Sequence, residues 1–356
     1  MMKSPRIWAA LASACALCFA APSLAAFQDP LDIPAAKSPL APAVLSNGLA
    51  LAGKRIVSVG QRGHILYSED AGKSWTQAAV PVSSDLTAVF FASPIRGWAV
   101  GHGGVVLATQ DGGTSWTRQL DGRAVGQLLV SHYADHSGAG LSAEALAQLR
   151  ADAKRFLDEG PDKPFLDVWF ENETTGYVVG LFNLILKTTD GGKSWVPWFD
   201  RTDNPKAYHF YAIRPVGNDL YLAGEQGLVL KLDPAAQRFK ALPVDYKGTF
   251  FGITGKPGSV IVYGLRGNAF RSGDGGKSWQ KIETGVAAGL TASTITADGR
   301  ILLVSQGGQV LVSSDDGRSF VRLKLERQIP ASALLEVAGQ TLVISGARGI
   351  HVHPQK

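Results

Sequence analysis

Short apolar runs alternate with turn residues along most of this chain of 356 residues. In one stretch, residues 86–92, 97–101, 105–109 and 115–120 are apolar or alternate between apolar and polar, and Gly, Ser, Asp and Pro residues lie between them. Runs of about four to eight residues with such boundaries are typical of β-strands. The pattern predicts an all-β fold built from units of four strands, with residues 1–25 and 121–162 as exceptions.

An aspartate string marks each unit and gives its period. The form Ser/Thr-x-Asp-x-Gly-x-Ser-Trp/Phe occurs around Asp70, Asp111, Asp190, Asp274 and Asp315, and a divergent copy lies at Asp233. Successive aspartates are 41, 79, 43, 41 and 41 residues apart. A period of about 40 residues that holds four strands is typical of a β-propeller blade. The single long interval is one period plus the exception at residues 121–162.

A second marker, a turn of the form Gly-x-x-Gly, counts the blades. It occurs seven times, with Asn183 and Ser305 as the departures from glycine, at residues 60–63, 101–104, 180–183, 224–227, 264–267, 305–308 and 346–349. We therefore expect a seven-bladed β-propeller. Only three strands precede Lys356 in the seventh blade, so we expect residues 27–40 to add its fourth strand and close the ring without an open sheet edge.

The aspartate strings fall in the predicted turns between third and fourth strands. There the carboxylate can accept N–H groups of its own hairpin, the glycine two residues later can take a positive φ, and the aromatic ring can pack inside its blade. Six aspartates on six blades cannot converge on one substrate, and the strings lack the alternating acidic ligands of a calcium loop. We expect them to be structural, neither catalytic nor metal-binding.

Residues 121–162 interrupt the repeat between the second and third blades with helical spacing. Apolar residues recur every three or four positions in two runs, 125–133 and 141–157, and Ser142 can cap the second helix. We expect a helical hairpin that serves either as a lid on the propeller or as a partner-binding element. His132 and His136 would share one helical face, but no third ligand accompanies them, so neither a metal site nor a cofactor is predicted.

Strand order places these features on two opposite ends of the propeller. In a four-stranded blade, the turn between strands two and three lies at the same end as the link from strand four to the next blade. The seven Gly-x-x-Gly turns and the insertion should therefore share one face, opposite the aspartate strings.

The first 25 residues have the features of a secretory signal peptide. Lys3 and Arg6 precede an apolar run, and small residues at 23–25 fit a cleavage site. Both cysteines lie in this leader; lipid attachment at Cys15 is an alternative that the short preceding run disfavours. We expect residues 26–356 to be exported to the periplasm, or to the thylakoid lumen if the source is photosynthetic.

Charge and hydropathy exclude two partner classes for the predicted mature chain. It holds 33 basic and 30 acidic residues once the two leader cations are removed. That balance is too mild for nucleic acid, whose binding requires a dense basic surface. No later run approaches the roughly 20 apolar residues that span a bilayer.

The aspartate strings, the strand sequence GWAVG at residues 97–101 and the seven turns resemble the photosystem II stability/assembly factor family. The resemblance extends over the predicted mature chain except residues 121–162. It implies an exported seven-bladed propeller with bacterial-neuraminidase (BNR) repeats, which docks without catalysis on a membrane-protein complex during assembly. The implied partner is photosystem-like, or an efflux-type exporter, since relatives with a helical insertion are associated with exporters.

The resemblance also implies that arginines on one propeller face contact the partner. In this sequence the residues that could do so precede the final glycine of their turns, namely Arg62, Arg266 and Arg348. We assign the corresponding position of blades 2, 3, 4 and 6 to His102, Phe182, Gln226 and Gly307. The predicted basic patch is therefore partial.

A sialidase-like glycan hydrolase or a glycan-binding propeller is the alternative function. Three arginines could clamp a carboxylate. However, no Arg-Ile-Pro motif precedes the first aspartate string, and the sequence offers no convincing Tyr and Glu nucleophile pair. We predict that the protein is not an enzyme, and carboxylates paired in the central cavity would argue against this prediction.

Overall fold

The computed structural model describes residues 28–134, 140–337 and 340–354. Seven antiparallel sheets follow one another along the chain, six with four strands and the last with three. In each sheet, consecutive strands are neighbours. The predicted leader and His136 lie outside the described residues.

The strands of the first four blades are β1 Ser46–Ala52, β2 Arg55–Gly60, β3 Ile65–Ser68 and β4 Thr76–Gln77; β5 Leu86–Phe91, β6 Gly97–Gly101, β7 Val106–Thr109 and β8 Thr117–Leu120; β9 Phe165–Phe170, β10 Gly176–Gly180, β11 Ile185–Thr188 and β12 Val196–Pro197; β13 Phe210–Val216, β14 Asp219–Gly224, β15 Val229–Asp233 and β16 Arg238–Ala241. The remaining strands are β17 Phe250–Lys256, β18 Ser259–Gly264, β19 Ala269–Ser272 and β20 Gln280–Ile282; β21 Leu290–Ile295, β22 Ile301–Ser305, β23 Val310–Ser313 and β24 Val321–Leu323; β25 Ala333–Val337, β26 Thr341–Gly346 and β27 Gly349–His353.

The first strand of each blade packs against the first strand of the next blade. These contacts run from β1 to β5 and onward to β25, and β25 contacts β1, which closes the ring. The predicted seven-bladed β-propeller is therefore confirmed. In the second blade the predicted strands differ from the observed ones by no more than two residues at an end.

The predicted closure of the ring by an added strand is wrong for the described residues 28–40. The sheet of β25, β26 and β27 holds three strands, and residues 28–40 pass the outer edge of blade 1 instead. There Pro30 O accepts a hydrogen bond from Ser83 N at 2.8 Å, and Val80 O accepts one from Ala35 N at 3.1 Å. Prolines at positions 30, 34 and 39 explain why this segment adds no strand, because proline lacks the backbone N–H group that pairing with a neighbouring strand requires.

The short 3-10 turn Ala41–Ala43 makes the closing contact in place of a strand. In five of the other blades, the final glycine of the Gly-x-x-Gly turn lies against the backbone of the link to the next blade. A Cβ on Gly63 would come within 2.1 Å of Val82 O. In blade 7, a Cβ on Gly349 would come within 2.2 Å of Pro42 O. The segment before β1 therefore occupies the position that the link from a fourth strand to the next blade would have.

The insertion forms two helices, α1 Gly122–Ala134 and α2 Ala143–Glu159. The Ser142 hydroxyl accepts a hydrogen bond from Ala145 N at 3.2 Å, and Gly160 with φ +76° follows the last turn, as predicted. The hairpin packs against the outer side of blade 3, where the rings of Phe156 and Phe199 are 5.6 Å apart. No helix in the described part of the chain is long and apolar enough to cross a bilayer.

The core lies between neighbouring blades and is rich in aromatic rings. Trp98 of blade 2 stacks on Phe170 of blade 3 with a centroid distance of 3.4 Å. Trp116, which belongs to an aspartate string, is only 4% exposed and meets Phe91 edge-on at 6.0 Å. The aromatic residue of the string thus packs within its blade, as the repeat indicates.

Replacement of Trp116 or Trp195 by Ala should lower the free energy of unfolding by about 3 to 5 kcal/mol, because each leaves a large cavity among buried residues. Urea denaturation gives this value. Trp75 occupies the same place in blade 1 but is partly exposed, so Trp75→Ala is the matched control and should cost less. Equal and small losses in all three variants would contradict the packing described here.

Candidate functional site

The turns between second and third strands form one face of the propeller and carry the predicted contact residues. Each turn touches the link between blades, which fixes them at the same end of the ring. The side chains of Arg62, Phe182, Gln226, Arg266 and Arg348 all lie on this face and are exposed. They reach solvent from separate blades, with Arg62 and Arg348 on neighbouring blades across the closure.

Four of these residues adopt a left-handed backbone. Arg62, Phe182 and Gln226 have φ of 54°, and Arg266 has φ of 56°. This conformation is uncommon for residues other than glycine and persists where the surroundings hold it. Arg62 N donates to the Asp85 carboxylate at 2.7 Å, which is one such restraint. The turns therefore present their side chains from fixed positions.

The assignment of His102 to this position is wrong. In blade 2 the left-handed residue before the final glycine is Gly103, with φ of 72°. His102 corresponds to Gln61 of blade 1, one residue earlier in the turn, although it is also exposed on the same face. With the turn bounded at residues 101–104, the sequence itself places Gly103, not His102, before the final glycine.

A central cavity of about 320 Å³ is lined by first strands of all seven blades. The Asp167 carboxylate in it is buried and accepts bonds from Val168 N at 2.9 Å, Ile213 N at 2.8 Å and an Arg214 guanidinium N at 2.5 Å. Burial raises the pKa of Asp167, against the opposing effect of Arg214. Asp167 is the one acidic residue among those that line the cavity, so no pair of carboxylates converges there.

The described helices of the insertion lie outside the lining of this cavity. None of the residues that line it comes from α1 or α2. Instead α2 reaches the turn of blade 3, where the Arg155 guanidinium lies 5.4 Å from the centre of the Phe182 ring. The hairpin thus extends the turn face at its rim beside blades 2 and 3.

A groove of about 490 Å³ separates the first half of α2 from blade 3. Leu141, Ala145 and Leu149 line one side, and the Phe182 and Phe199 rings contribute to the other. No sequence motif indicates this groove, because it forms between the insertion and the link from blade 3 to blade 4. The one available signal was Asn183 in place of the glycine that ends most of the turns.

The aspartate strings form the same hydrogen-bond network in five blades. In the string of Asp190, Oδ1 accepts from Ser194 N at 2.9 Å, Oδ2 accepts from the Ser194 hydroxyl at 2.6 Å, and the Thr188 hydroxyl donates to Oδ1 at 2.9 Å. These bonds lower the pKa of Asp190 to about 2, with the Ser194 hydroxyl as the largest cause. The carboxylate thus accepts its hydrogen bonds within its own hairpin and stabilises that turn.

In the divergent string, the aspartate has different hydrogen-bond partners. The Asp233 carboxylate accepts from Ala235 N and Ala236 N, both at 3.0 Å, and pairs with Lys240 at 2.7 Å. In the described ranges, no group of three or more His, Cys, Asp or Glu side chains is placed to hold a metal ion.

Comparison with known proteins identifies related chains. Residues 150–280 match the model of a family described as photosynthesis system II assembly factor YCF48. The chain is 25% identical over 179 residues to the photosystem II assembly lipoprotein Ycf48 of Synechococcus sp. (strain CC9902). That alignment covers 49% of this chain and 53% of the relative, so the match spans about half the relative's length. The predicted resemblance to the photosystem II assembly factor family is confirmed.

Two solved structures share the fold at low sequence identity. A structure described as YCF48 bound to D1 peptide has a TM-score of 0.63 and 15% identity, covering 88% of this chain and 94% of the other. A streptogramin B lyase structure has a TM-score of 0.65 and 12% identity, covering 88% and 95%. Such likeness shows the propeller fold alone, and the lyase illustrates that one fold serves different functions.

The hydrogen-bonded aspartates should make stability depend on pH below about 4. The pKa of Asp70, Asp190 and Asp315 is about 2 in the folded protein, whereas an unfolded aspartate titrates near about 3.9. Their stabilising contribution is therefore present above about pH 4 and is lost as the pH falls toward about 2. Asp190→Asn should flatten the dependence of the unfolding free energy on pH in this window.

The measurement is urea denaturation from pH 2 to 6. Asp245→Asn, which removes an exposed carboxylate outside the aspartate strings, is the matched control and should leave the profile close to that of the unaltered protein. A profile for Asp190→Asn that parallels the control would contradict the role assigned to the strings.

Proposed function

We propose that this protein is a non-enzymatic binding factor that docks on a membrane-protein complex through the turn face. The family match supports the class of function, since the related proteins are described as photosystem II assembly factors. The observation that carries the proposal is the turn face itself. Arg62 and Arg266 project there from left-handed turn positions, and Arg348 is exposed in the turn of blade 7.

The central cavity supports binding rather than glycoside hydrolysis. Most glycoside hydrolases use two carboxyl groups within roughly 5 to 10 Å of each other, whereas sialidases use a Tyr nucleophile. Asp167 has no acidic neighbour among the residues that line the cavity, and its oxygens are engaged by backbone N–H groups and Arg214. Tyrosines line the cavity, but no Glu that could pair with a Tyr nucleophile is among its lining residues, so the sialidase-like alternative lacks the pair it needs there.

A precedent for peptide recognition comes from a protein with the same fold. That structure is described as YCF48 bound to D1 peptide. We infer a partner of the same general kind, a segment of a membrane-protein complex at the membrane surface. Export by the predicted leader, to the periplasm or to a thylakoid lumen, would bring the propeller to such a partner and belongs to the same proposal.

Charge reversal on the turn face tests the proposal. The triple variant Arg62→Glu, Arg266→Glu and Arg348→Glu should recover less membrane protein in crosslinking pull-downs, while its thermal melting stays unchanged, because exposed charges contribute little to folding. Added salt should weaken the complex of the unaltered protein, since exposed charges are screened beyond about 8 to 10 Å.

The control variant reverses three exposed lysines on the opposite face. Lys73→Glu, Lys193→Glu and Lys277→Glu change the net charge by the same amount within the aspartate strings. This variant should recover partners as the unaltered protein does. Equal recovery with both triple variants would exclude the turn arginines as contacts.

A further inference from the structure

Blade 3 departs from the repeat at three places that meet in space. The insertion precedes it, Asn183 replaces the glycine of its turn, and a longer link follows it. Twelve residues, 198–209, separate β12 from β13, whereas eight residues, 78–85, separate β4 from β5. Because the other blades fold without these features, the shared fold does not require them. All three border the groove between α2 and blade 3.

The longer link explains how Asn183 fits into the turn. In blade 4 a Cβ on the equivalent Gly227 would come within 2.0 Å of Tyr246 O. In blade 3 the longer link passes Asn183 through the 3-10 turn Phe199–Arg201 instead. The Asn183 side chain occupies the space that this leaves, and it is itself 7% exposed.

The Asn183 carboxamide holds the link in place as one side of the groove. Its Nδ2 donates to Phe199 O at 3.0 Å, and its Oδ1 accepts from the Thr202 hydroxyl at 2.8 Å and from Asn204 Nδ2 at 3.1 Å. Thr202 and Asn204 are also buried. A buried polar network whose members are all bonded is rigid. The groove is therefore preformed on the propeller side.

The helix side of the groove is apolar and only partly covered. The fully buried residues of α2, Ala153 and Phe156, belong to its second half. In the first half, Ala145 is exposed and Leu149 is half-buried, and both face the groove together with Leu141. These side chains leave apolar surface that an apolar segment could bury.

The lining of the groove is acidic, in contrast to the basic chain as a whole. Asp152, Asp200 and Asp203 contribute three carboxylates, and Arg238 contributes the one guanidinium among the lining residues. Asp203 pairs with Arg238 at 2.8 Å, Asp152 pairs with Arg155 at 3.4 Å, and Asp200 accepts from the Tyr133 hydroxyl at 3.0 Å, so the carboxylates exceed the two guanidinium groups by one. The full sequence carries a net charge of +5. A cation next to an apolar surface thus matches the groove, since complementary charge selects partners.

We propose that the groove binds an apolar peptide segment flanked by lysine or arginine. The inference deepens the proposed function, because such a segment would be the part of the partner that the insertion recognises. Apolar side chains would lie against α2 and the Phe182 ring, and the flanking cations would lie near the carboxylates. The turn arginines would then contact other, acidic parts of the same partner.

A labelled peptide of three leucines flanked by lysines is the probe, with binding to the full chain measured by fluorescence anisotropy. Binding should be saturable for this peptide and at least about tenfold weaker for the counterpart flanked by glutamates, because like charges across an interface are unfavourable. Ala145→Trp should weaken binding at least about tenfold, because its ring occupies the space in which the peptide would make its central apolar contacts. Equal affinity for both peptides would overturn the proposal.

Two variants of α2 separate the groove from the rest of the helix. Ala147→Trp places the same ring at an exposed position outside the groove and should bind the lysine peptide as the unaltered protein does. Asp152→Lys should weaken the lysine peptide and strengthen the glutamate peptide. Equal binding by Ala145→Trp and Ala147→Trp would show that the peptide binds elsewhere.

The outcome is independent of the membrane-partner experiment. If the lysine peptide fails to bind while the turn variants still lose partner recovery, the groove inference fails and the proposed function stands. If the peptide binds in the groove while neither the turn variants nor Ala145→Trp changes partner recovery, the groove is a peptide site and the proposed docking on a membrane complex fails.

Discussion

The close approach of each strand-two to strand-three turn to the neighbouring inter-blade link is the contact on which the ring depends. In blade 5, a Cβ on Gly267 would stand 1.8 Å from Val286 O, so only glycine permits the backbones to meet. The contact sets the spacing of adjacent blades and fixes all the turns at one end. The same contact closes the ring, where Pro42 O takes the place of the absent link beside Gly349.

A binding site can form where the close contact between turn and link is altered. Blade 3 has a longer link and an asparagine whose amide bonds replace the close backbone contact. The longer link leaves space beside α2, while Tyr208 O still accepts a hydrogen bond from Asn183 N at 3.3 Å. The aspartate strings lie on the opposite face. Their hairpins have no comparable change, since their carboxylates accept hydrogen bonds from their own hairpins. The turn face thus has a groove at blade 3, whereas the opposite face has hydrogen-bonded hairpins, and this difference agrees with binding at the turn face.

The helical insertion combines a structural half with an accessible half. Val125, Leu129 and Tyr133 of α1 and Phe156 of α2 are buried against blade 3, so removal of the whole hairpin would expose core residues. The first half of α2 contributes little to that core. This division means that substitutions on α2, rather than its deletion, report on binding.

The sequence by itself determined the repeat, the number of blades, the insertion and the structural role of the aspartates. These are local properties, because a hairpin with Ser, Asp, Gly and Trp at fixed spacing forms its hydrogen bonds within about ten residues. The tertiary structure alone decided the closure of the ring and the groove beside Asn183. Both depend on which distant groups come near: the Pro42 backbone beside Gly349, and the Thr202 and Asn204 side chains beside Asn183. Spacing along one chain does not specify such contacts, because they arise when separate blades pack together.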